Sequence, residues 1–295
     1  MHPLRVSVLD NQLPHADGIT IGLLGRGIAS SLSPIMHEQE GRRLGLDYRY
    51  HLIDFDRLGL DDSQLGDVLA EARDLGFAGL NVTYPFKQAV LSLLDDLGPD
   101  AAAIGAVNTV VLTGARSTGH NTDCWGFAES FRQGLPDVAR ARVLQLGSGG
   151  AGAAVARALL QSGVQKLDIY DTDQAKSEML AQRLRHLLGA DVQAVQDVAV
   201  AALADGVVNT TPVGMAKYPG LPIDAGWVEA RHWVADVIYF PLETALLELA
   251  RERGCQVLPG GGMAVYQAVR AFELFSGRKP EADSMAATFR KAVAG

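Results

Sequence analysis

Residues 141–160 read ARVLQLGSGGAGAAVARALL, and this stretch decides the fold of the chain. An apolar run comes first, Gly147, Gly149 and Gly152 follow in the order G-x-G-x-x-G, and an alanine-rich segment completes it. This order predicts a strand, a tight turn and a helix, the setting in which the motif binds a dinucleotide. The three glycines allow the turn, the approach of a pyrophosphate and the packing of helix on strand.

Amide hydrogens at the start of the predicted helix would face the phosphates, where the helix dipole favours negative charge. In a chain with 32 glycines the pattern can also arise by chance, but the flanking strand and helix favour the dinucleotide interpretation. The residues predicted to contact the cofactor here are Gly147, Ser148, Gly149, Gly150, Ala151 and Gly152.

Composition narrows the class of protein. A length of 295 residues predicts two domains, and 48% hydrophobic with 20% charged residues is typical of a globular α/β protein. The net charge of −8 gives no basic footprint for nucleic acid or for an anionic membrane. There is no signal-peptide pattern, no run of 18 apolar residues, and no metal spacing among the seven histidines and two cysteines. We expect a cytoplasmic monomer or homodimer that binds a small molecule and no metal.

Strand and helix signals alternate through both halves of the chain, which predicts an α/β fold for each half. In the second half their spacing predicts a parallel sheet covered on both faces. The first half predicts strands at 19–25, 47–55 and 77–83, helices from 34, over 65–75 and from about 85 to 94, and extended pieces at 106–112 and 117–123. The last segment, 264–294, is helical and follows the second sheet, so we expect it to return to the first domain. The predicted domains are 1–124 with 265–295, for substrate binding and catalysis, and 125–264, a Rossmann-type doubly wound sheet for the dinucleotide.

The choice of dinucleotide depends on the end of the strand KLDIY. An acid at that position hydrogen-bonds the ribose 2′-hydroxyl of NAD, whereas an arginine accommodates the 2′-phosphate of NADP. Asp171 closes this strand about twenty residues after the glycines, so the sequence favours NAD. The alternative is that Asp171 or Asp173 only caps the next helix.

Two polar stretches at predicted strand ends, NVTYPFK (81–87) and NTDC (121–124), are candidates for the chemistry. Oxidation of a secondary alcohol by NAD removes a hydroxyl proton as hydride leaves the carbon. Lys87 and Asp123 could provide the path for that proton, if burial and neighbours lower the lysine pKa. Taken singly, Lys87 is better explained as a solvated helix lysine and Asp123 as a helix cap, and sequence spacing does not place the two together.

Eight motifs occur in a fixed order: SLSPIMH, GLNVTYPFK, GAVNTV, HNTDCWGF, GSGGAGAA, NTTPVGM, DVIYFPLET and GGGMAVYQAVRAFELFSG. Together they resemble the shikimate/quinate dehydrogenase family from Ile19 onward. The resemblance implies that Lys87 and Asp123 are the catalytic pair. It implies substrate contacts from Ser31, Ser33, Thr83, Asn108, Tyr239 and Gln267. It also implies that Asn209, Thr210, Val237, Gly260 and Met263 line the nicotinamide side.

Plainer interpretations of these positions stand beside the implied ones. Ser33 before Pro34 could be a helix N-cap, Asn108 could sit in a turn, and Gln267 could be a surface residue. Residues 260–262 could be only a flexible turn. The family members that use NADP carry Asn-Arg-Thr where this chain has Asp171, Thr172 and Asp173. Quinate-preferring members often carry threonine where this chain has Ser33, so the substrate preference stays open.

The resemblance predicts an NAD-dependent enzyme with the substrate between its domains. It would reversibly oxidise a ring hydroxyl of shikimate or quinate to the 3-dehydro ketone. The alternatives are an NADP-linked biosynthetic shikimate dehydrogenase and a relative acting on another cyclic hydroxy acid. A ligand-sensing regulator without turnover is an alternative from a different class.

Overall fold

The computed structural model describes residues 18–294, which form two compact units. One unit holds the described residues up to Thr122 and those from Ala268 onward, and the other is Asp123–Gln267. The predicted domain limits, 124 and 265, lie close to these positions. Residues 1–17 of the predicted first domain and residue 295 lie outside the described residues.

The first unit is built on a six-stranded sheet in the order β2-β1-β3-β5-β6-β4. Its strands are β1 (Ile19–Gly25), β2 (Tyr48–Asp54), β3 (Gly79–Val82), β4 (Asp96–Leu97), β5 (Thr109–Thr113) and β6 (Arg116–His120). The first three run parallel, while β5 is antiparallel to both β3 and β6. A two-residue connection joins β5 to β6, and Gly114 adopts a φ of 56° that such a tight hairpin favours. The sheet is therefore mixed.

Alternating side chains of this sheet form a core on each face. Leu24 of β1 packs with the helix α3 (Leu65–Asp74) on one face, whereas Ile21 and Leu23 face a cluster that includes Phe272 and Phe275 on the other. The remaining helices of this unit are α1 (Ser33–Arg43), α2 (Phe55–Leu58), α4 (Pro99–Ile104), the second half of α9 (Gly261–Ser276) and α10 (Ala282–Ala294).

The prediction that the C-terminal helices return to the first domain is confirmed. The backbone N–H of Glu281 donates to the Glu40 carboxylate at 2.7 Å, and the Thr288 hydroxyl donates to Gln39 at 2.7 Å. Helix α10 therefore packs against α1.

The helix predicted from about residue 85 to 94 was wrong. A turn runs from Tyr84 to Gln88 and is followed by a short 3-10 helix, Ala89–Leu93. The carbonyl of Lys87 accepts a hydrogen bond from the N–H of Val107 at 2.8 Å. In a helix this carbonyl would accept from a residue four positions later. It bonds instead to Val107, so the turn lies beside the segment that leads into β5.

The second unit contains a fully parallel sheet in the order β12-β11-β10-β7-β8-β9. The strands are β7 (Arg142–Leu146), β8 (Lys166–Tyr170), β9 (Asp191–Val195), β10 (Gly206–Asn209), β11 (Trp233–Asp236) and β12 (Gln256–Leu258). The helices are α5 (Thr122–Gly134), α6 (Gly150–Gln161), α7 (Gln174–Leu188), α8 (Ala245–Glu252) and the first half of α9. The strand order reverses between β7 and β10, which confirms the doubly wound prediction.

Within residues 18–294 we find no helix with the length and apolarity to cross a membrane.

Candidate functional site

The glycine turn after β7 has the three properties that a pyrophosphate site needs. Gly147 has a φ of +95°, which favours glycine, and a Cβ on Gly152 would lie 2.5 Å from the Gly147 carbonyl oxygen. A Cβ on Gly149 would have no other described atom within 4 Å, so the space beside it is open. Gly149 is also the N-cap of α6, and no side chain caps that helix. The first amides of α6 can therefore serve a phosphate.

Two side chains below the turn fix its shape. Gln145 is fully buried and donates from Nε2 to the carbonyls of Gly147 and Gly152, at 2.8 and 2.9 Å. The hydroxyl of Thr210 donates to the carbonyls of Leu146 and Gly147, at 2.7 and 3.0 Å. Thr210, predicted to line the cofactor, thus braces the turn through its hydroxyl.

Asp171 lies at the end of β8 and contacts the glycine turn directly. Its Oδ2 accepts hydrogen bonds from the backbone N–H and the hydroxyl of Ser148, at 2.8 and 2.6 Å, and its Oδ1 accepts from the N–H of Asp173 at 2.9 Å. Burial alone would raise the pKa of this carboxyl, but these hydrogen bonds and the charge of Lys176 outweigh burial and lower the pKa. Asp173 is the N-cap of α7 without a side-chain capping bond. The carboxylate of Asp171 is therefore charged and turned toward the glycine turn.

The ends of β10 and β11 form a second polar cluster. Asn209 is fully buried, donates from Nδ2 to the Val213 carbonyl at 3.0 Å, and accepts from the hydroxyl of Thr211 at 2.7 Å. Asp236 accepts from the N–H of Ile238 at 2.9 Å and from the hydroxyl of Thr244 at 2.8 Å. These bonds shape the loops after the two strands. The Asn209 side chain therefore hydrogen-bonds to the protein's own loop.

The chain after β12 packs tightly rather than forming a flexible turn. A Cβ on Gly260 would lie 2.4 Å from the Val237 carbonyl oxygen, and one on Gly262 would lie 2.2 Å from the Ser130 hydroxyl. Residues 261 and 262 already belong to α9, and Met263 is buried in the same helix. The alternative of a merely flexible turn at 260–262 was wrong.

Asp123, Tyr239 and Gln267 all belong to the second unit. Asp123 is the second residue of α5 and is 7% exposed. Tyr239 is 40% exposed, and its partial burial together with the nearby Asp123 carboxylate raises the pKa of its phenol. Gln267 donates to the Ala264 carbonyl at 3.0 Å, and its backbone N lies 2.7 Å from the position of a Cβ on Gly126 of α5. The helices that carry Asp123 and Gln267 therefore cross closely at Gly126.

In the first unit, Ser31 and Ser33 lie where the loop after β1 enters α1. The Ser33 N–H donates to the Ser31 hydroxyl at 3.3 Å, and the N-cap of α1 is Leu32 without a side-chain capping bond. The alternative that Ser33 is an N-cap was therefore wrong. Asp54, at the end of β2, is 3% exposed and accepts from the N–H groups of Gly27 and Ile28, at 3.1 and 3.0 Å. Its carboxyl group holds the start of the serine-bearing loop.

A buried chain of hydrogen bonds begins at Tyr50, beside Ser33, and crosses the sheet. The Tyr50 hydroxyl donates to Asn81 Oδ1 at 2.9 Å. Asn81 donates from Nδ2 to the hydroxyl of Thr109 at 3.0 Å. The buried Tyr50–Asn81 pair thus connects the first half of β2 and the end of β3 to the start of β5.

Asn108 lies next to this chain, at the start of β5. It is 4% exposed, accepts from the Thr122 N–H at 2.7 Å and donates to the Thr122 hydroxyl at 2.9 Å. Because Asp123 follows Thr122 directly, these bonds fix the chain that leads to it. Asn108 is thus held by its side chain rather than lying in a solvated turn.

Lys87 and Thr83 lie in the segment after β3. Thr83 is half-buried, and its N–H donates to the Leu24 carbonyl at 2.9 Å. Lys87 is half-buried, and its carbonyl accepts a hydrogen bond from the N–H of Val107, the residue before Asn108. In the first unit, Ser31 and Ser33 therefore follow β1, Thr83 and Lys87 follow β3, and Asn108 precedes β5. These three strands are neighbours in one sheet.

Several side chains that organise these segments were not among the predicted site residues: Tyr50, Asp54, Asn81, Thr122, Gln145 and Asp236. A signal was present for some of them, because Asp54 and Asp236 are the last residues of their strands and Asn81 interrupts an apolar one. In a buried strand such a polar residue needs a partner.

Comparison with known proteins gives a consistent result. The model of the shikimate dehydrogenase substrate binding domain matches residues 23–110, and that of the shikimate 5'-dehydrogenase C-terminal domain matches residues 260–288. A shikimate dehydrogenase (NADP(+)) from Streptomyces avermitilis is 51% identical over 92% of this chain and 94% of its own. A quinate/shikimate dehydrogenase (NAD(+)) from Corynebacterium efficiens is 45% identical over 92% of this chain and 98% of its own.

Among solved structures, quinate dehydrogenase from Corynebacterium glutamicum in complex with NAD is similar to this chain. It superimposes with a TM-score of 0.89 at 44% identity, over 93% of this chain and 99% of that one. The relatives agree on a nicotinamide dinucleotide and differ on whether it is NAD or NADP.

Proposed function

The chain belongs to the shikimate dehydrogenase family, and from this premise we propose that it is an NAD-dependent enzyme that reversibly oxidises a ring hydroxyl of shikimate, quinate or both. The products would be 3-dehydroshikimate and 3-dehydroquinate. The first unit would bind the substrate and the second the dinucleotide. The observation that carries the NAD assignment is the charged Asp171 carboxylate beside the glycine turn.

The substrate assignment is supported by the donors of the first unit. Ser31 and Ser33 would bind the ring carboxylate with neutral hydroxyls, and Tyr239 of the second unit would approach the same group. Thr83, Asn108 and Gln267 would bind the ring hydroxyls. Such neutral donors orient a polyhydroxylated acid without requiring a buried ion pair.

The chemistry requires one proton and one hydride to leave the substrate. The hydroxyl proton would pass to Lys87, with Asp123 sharing the same hydroxyl and stabilising the ammonium that forms. When bound, the nicotinamide accepts the hydride from the ring carbon. The dinucleotide would be held by the glycine turn, Gly150 and Ala151 at the start of α6, and Asp171. Val237, Gly260 and Met263 would line its nicotinamide side, with Asn209 and Thr210 shaping that side through their loops.

The test is a steady-state assay of shikimate and quinate, each with NAD and with NADP. We expect activity with NAD to exceed that with NADP for at least one substrate. Higher kcat/KM with NADP would contradict the NAD assignment, and activity with neither acid would contradict the substrate assignment.

Lys87→Ala provides the matched test of the catalytic pair. We expect kcat to fall by about 100-fold or more, with substrate KM within a few-fold of wild type. Lys279→Ala is the control, because Lys279 is exposed in the same unit. Unchanged kcat in Lys87→Ala would overturn the assignment of the pair.

A further inference from the structure

We infer that Ser148, the second residue of the glycine turn, sets the dinucleotide preference together with Asp171, as one hydrogen-bonded unit. The inference deepens the proposed function by naming what fixes the carboxylate that selects NAD. It concerns how the dinucleotide is recognised and does not depend on which cyclic acid is the substrate.

The geometry shows that both donors of Ser148 go to the same carboxylate oxygen. The backbone N–H lies 2.8 Å and the hydroxyl 2.6 Å from Asp171 Oδ2. The N–H of Asp173 takes one acceptor position on Oδ1, at 2.9 Å. A carboxylate offers about four lone-pair sites, so these three bonds leave one, on Oδ1. A ribose hydroxyl that donates to Asp171 would use that remaining site.

The charges around this unit favour a hydroxyl over a phosphate. Lys176 is the basic residue whose charge acts on Asp171, and its ammonium lies 3.1 Å from the carboxylate of Asp173. Asp171, Asp173 and Lys176 together therefore carry a net charge of −1, and none of the residues 171–176 is an arginine. A 2′-phosphate would meet this negative charge without the planar donor that accommodates it in NADP sites.

The serine hydroxyl contributes by holding the carboxylate in one orientation. Hydrogen bonds to an ionised acceptor are short and stronger than neutral ones, and the 2.6 Å contact belongs to this class. Without the hydroxyl, Oδ2 keeps only the backbone N–H of Ser148 and Oδ1 keeps that of Asp173, so the carboxylate is held less firmly toward the ribose. Ser148 is thus a positioning residue that acts through Asp171.

The experiment measures the Kd of NAD and of NADP by calorimetry on the full chain without substrate, for wild type and variants. We expect Ser148→Ala to raise the NAD Kd about fivefold and to narrow the preference for NAD over NADP. Asp171→Ala should raise the NAD Kd at least as much. The double variant should match Asp171→Ala alone, because the serine has nothing left to position.

Two further variants exclude simpler explanations. Ser148→Thr keeps the hydroxyl and should bind NAD within about twofold of wild type. Ser162→Ala removes a hydroxyl that donates to the Ala158 carbonyl in the same unit and should leave both Kd values unchanged.

Two results would overturn the inference: an unchanged Kd in Ser148→Ala, or an equal loss whether or not Asp171 is present. The second result would mean that the serine touches the cofactor itself. Because the readout is binding, a failure of the proposed reaction would appear separately, in the steady-state assay.

Discussion

Asn209 donates a hydrogen bond of 3.1 Å from Nδ2 to Oδ1 of Asp236, so side chains tie together the carboxyl ends of the neighbouring strands β10 and β11. Asp236 is 2% exposed, and burial raises its pKa to about 6 although three hydrogen bonds act in the opposite direction. The protein therefore keeps a carboxyl group where its charged form is unfavourable. Asn209, Ile238 and Thr244 each donate a hydrogen bond to this carboxyl group, and all three donors need an acceptor at this point.

Asp236→Asn should remove the contribution of this carboxyl group to the pH dependence of the unfolding free energy. Because the folded pKa lies above the usual 3.8, Asp236 contributes stability that is fully present below about pH 3.8 and is lost as pH rises through about 6. Relative to Asp236→Asn, wild type should lose about 3 kcal/mol of unfolding free energy across this window. Urea denaturation of both proteins at pH 4, 5, 6 and 7 measures it. A difference that stays constant with pH would contradict this prediction.

His37 should produce the opposite trend. It is fully buried, its Nδ1 lies 3.0 Å from the Tyr48 hydroxyl, and burial lowers its pKa to about 3. Its stabilising contribution is complete above the unfolded pKa of 6.5 and is lost as pH falls toward 3. Relative to His37→Phe, wild type should lose up to about 1.4 kcal/mol per pH unit below 6.5. Denaturation curves at pH 5 and 7 suffice, and parallel behaviour of the two proteins would rule out this origin of acid sensitivity.

Asp54→Ala should weaken substrate binding through the serine loop. The variant removes the acceptor for the N–H groups of Gly27 and Ile28, so the segment leading to Ser31 loses its anchor. We expect the substrate KM to rise about tenfold, the size of effect that one charge-assisted hydrogen bond produces, while the NAD KM stays unchanged. Asp47→Ala, on the exposed surface of the same unit, is the control. An equal change in both KM values would indicate general unfolding instead.

Gly149→Ala and Gly152→Ala should separate cofactor binding from stability. A methyl group at Gly149 enters open space, so the free protein should keep its stability to within about 1 kcal/mol, while NAD affinity falls at least tenfold because the pyrophosphate needs that space. A methyl group at Gly152 meets the Gly147 carbonyl at 2.5 Å and should cost about 1–3 kcal/mol of stability. Thermal unfolding and calorimetry distinguish the two. Equal stability losses would show that Gly149 also serves packing.

Local patterns predicted the regular elements well. The strand at 19–25 matches β1, and the strand–turn–helix around the glycines matches β7 and α6, because hydrophobic period and glycine placement are local properties. The segment 85–94 failed for a non-local reason, since the Lys87 carbonyl bonds to Val107. Sequence alone has no means of assigning that partner.

In the candidate site, too, local features were predictable from the sequence and contacts between distant residues were not. The positions of Ser33, Asn108 and Asp171 followed from motifs, but their partners did not. Ser33 meets Tyr50 and Asp171 meets Ser148 only through the tertiary fold. The burial of Asp54 and Asp236 also depends on elements distant in sequence, so their contribution to the loops emerged only with the structure.

The first unit is completed by residues that follow the whole second unit in the chain. Phe272 and Phe275 of α9 cover the face of β1 and β2 that carries Ile21 and Tyr48. On a ribosome these phenylalanines emerge roughly 150 residues after Thr122, which at 5–20 residues per second is a delay on the order of 10 s. Throughout that interval the nascent first unit exposes an apolar sheet face. A newly made chain therefore offers a chaperone a binding surface that the finished protein conceals.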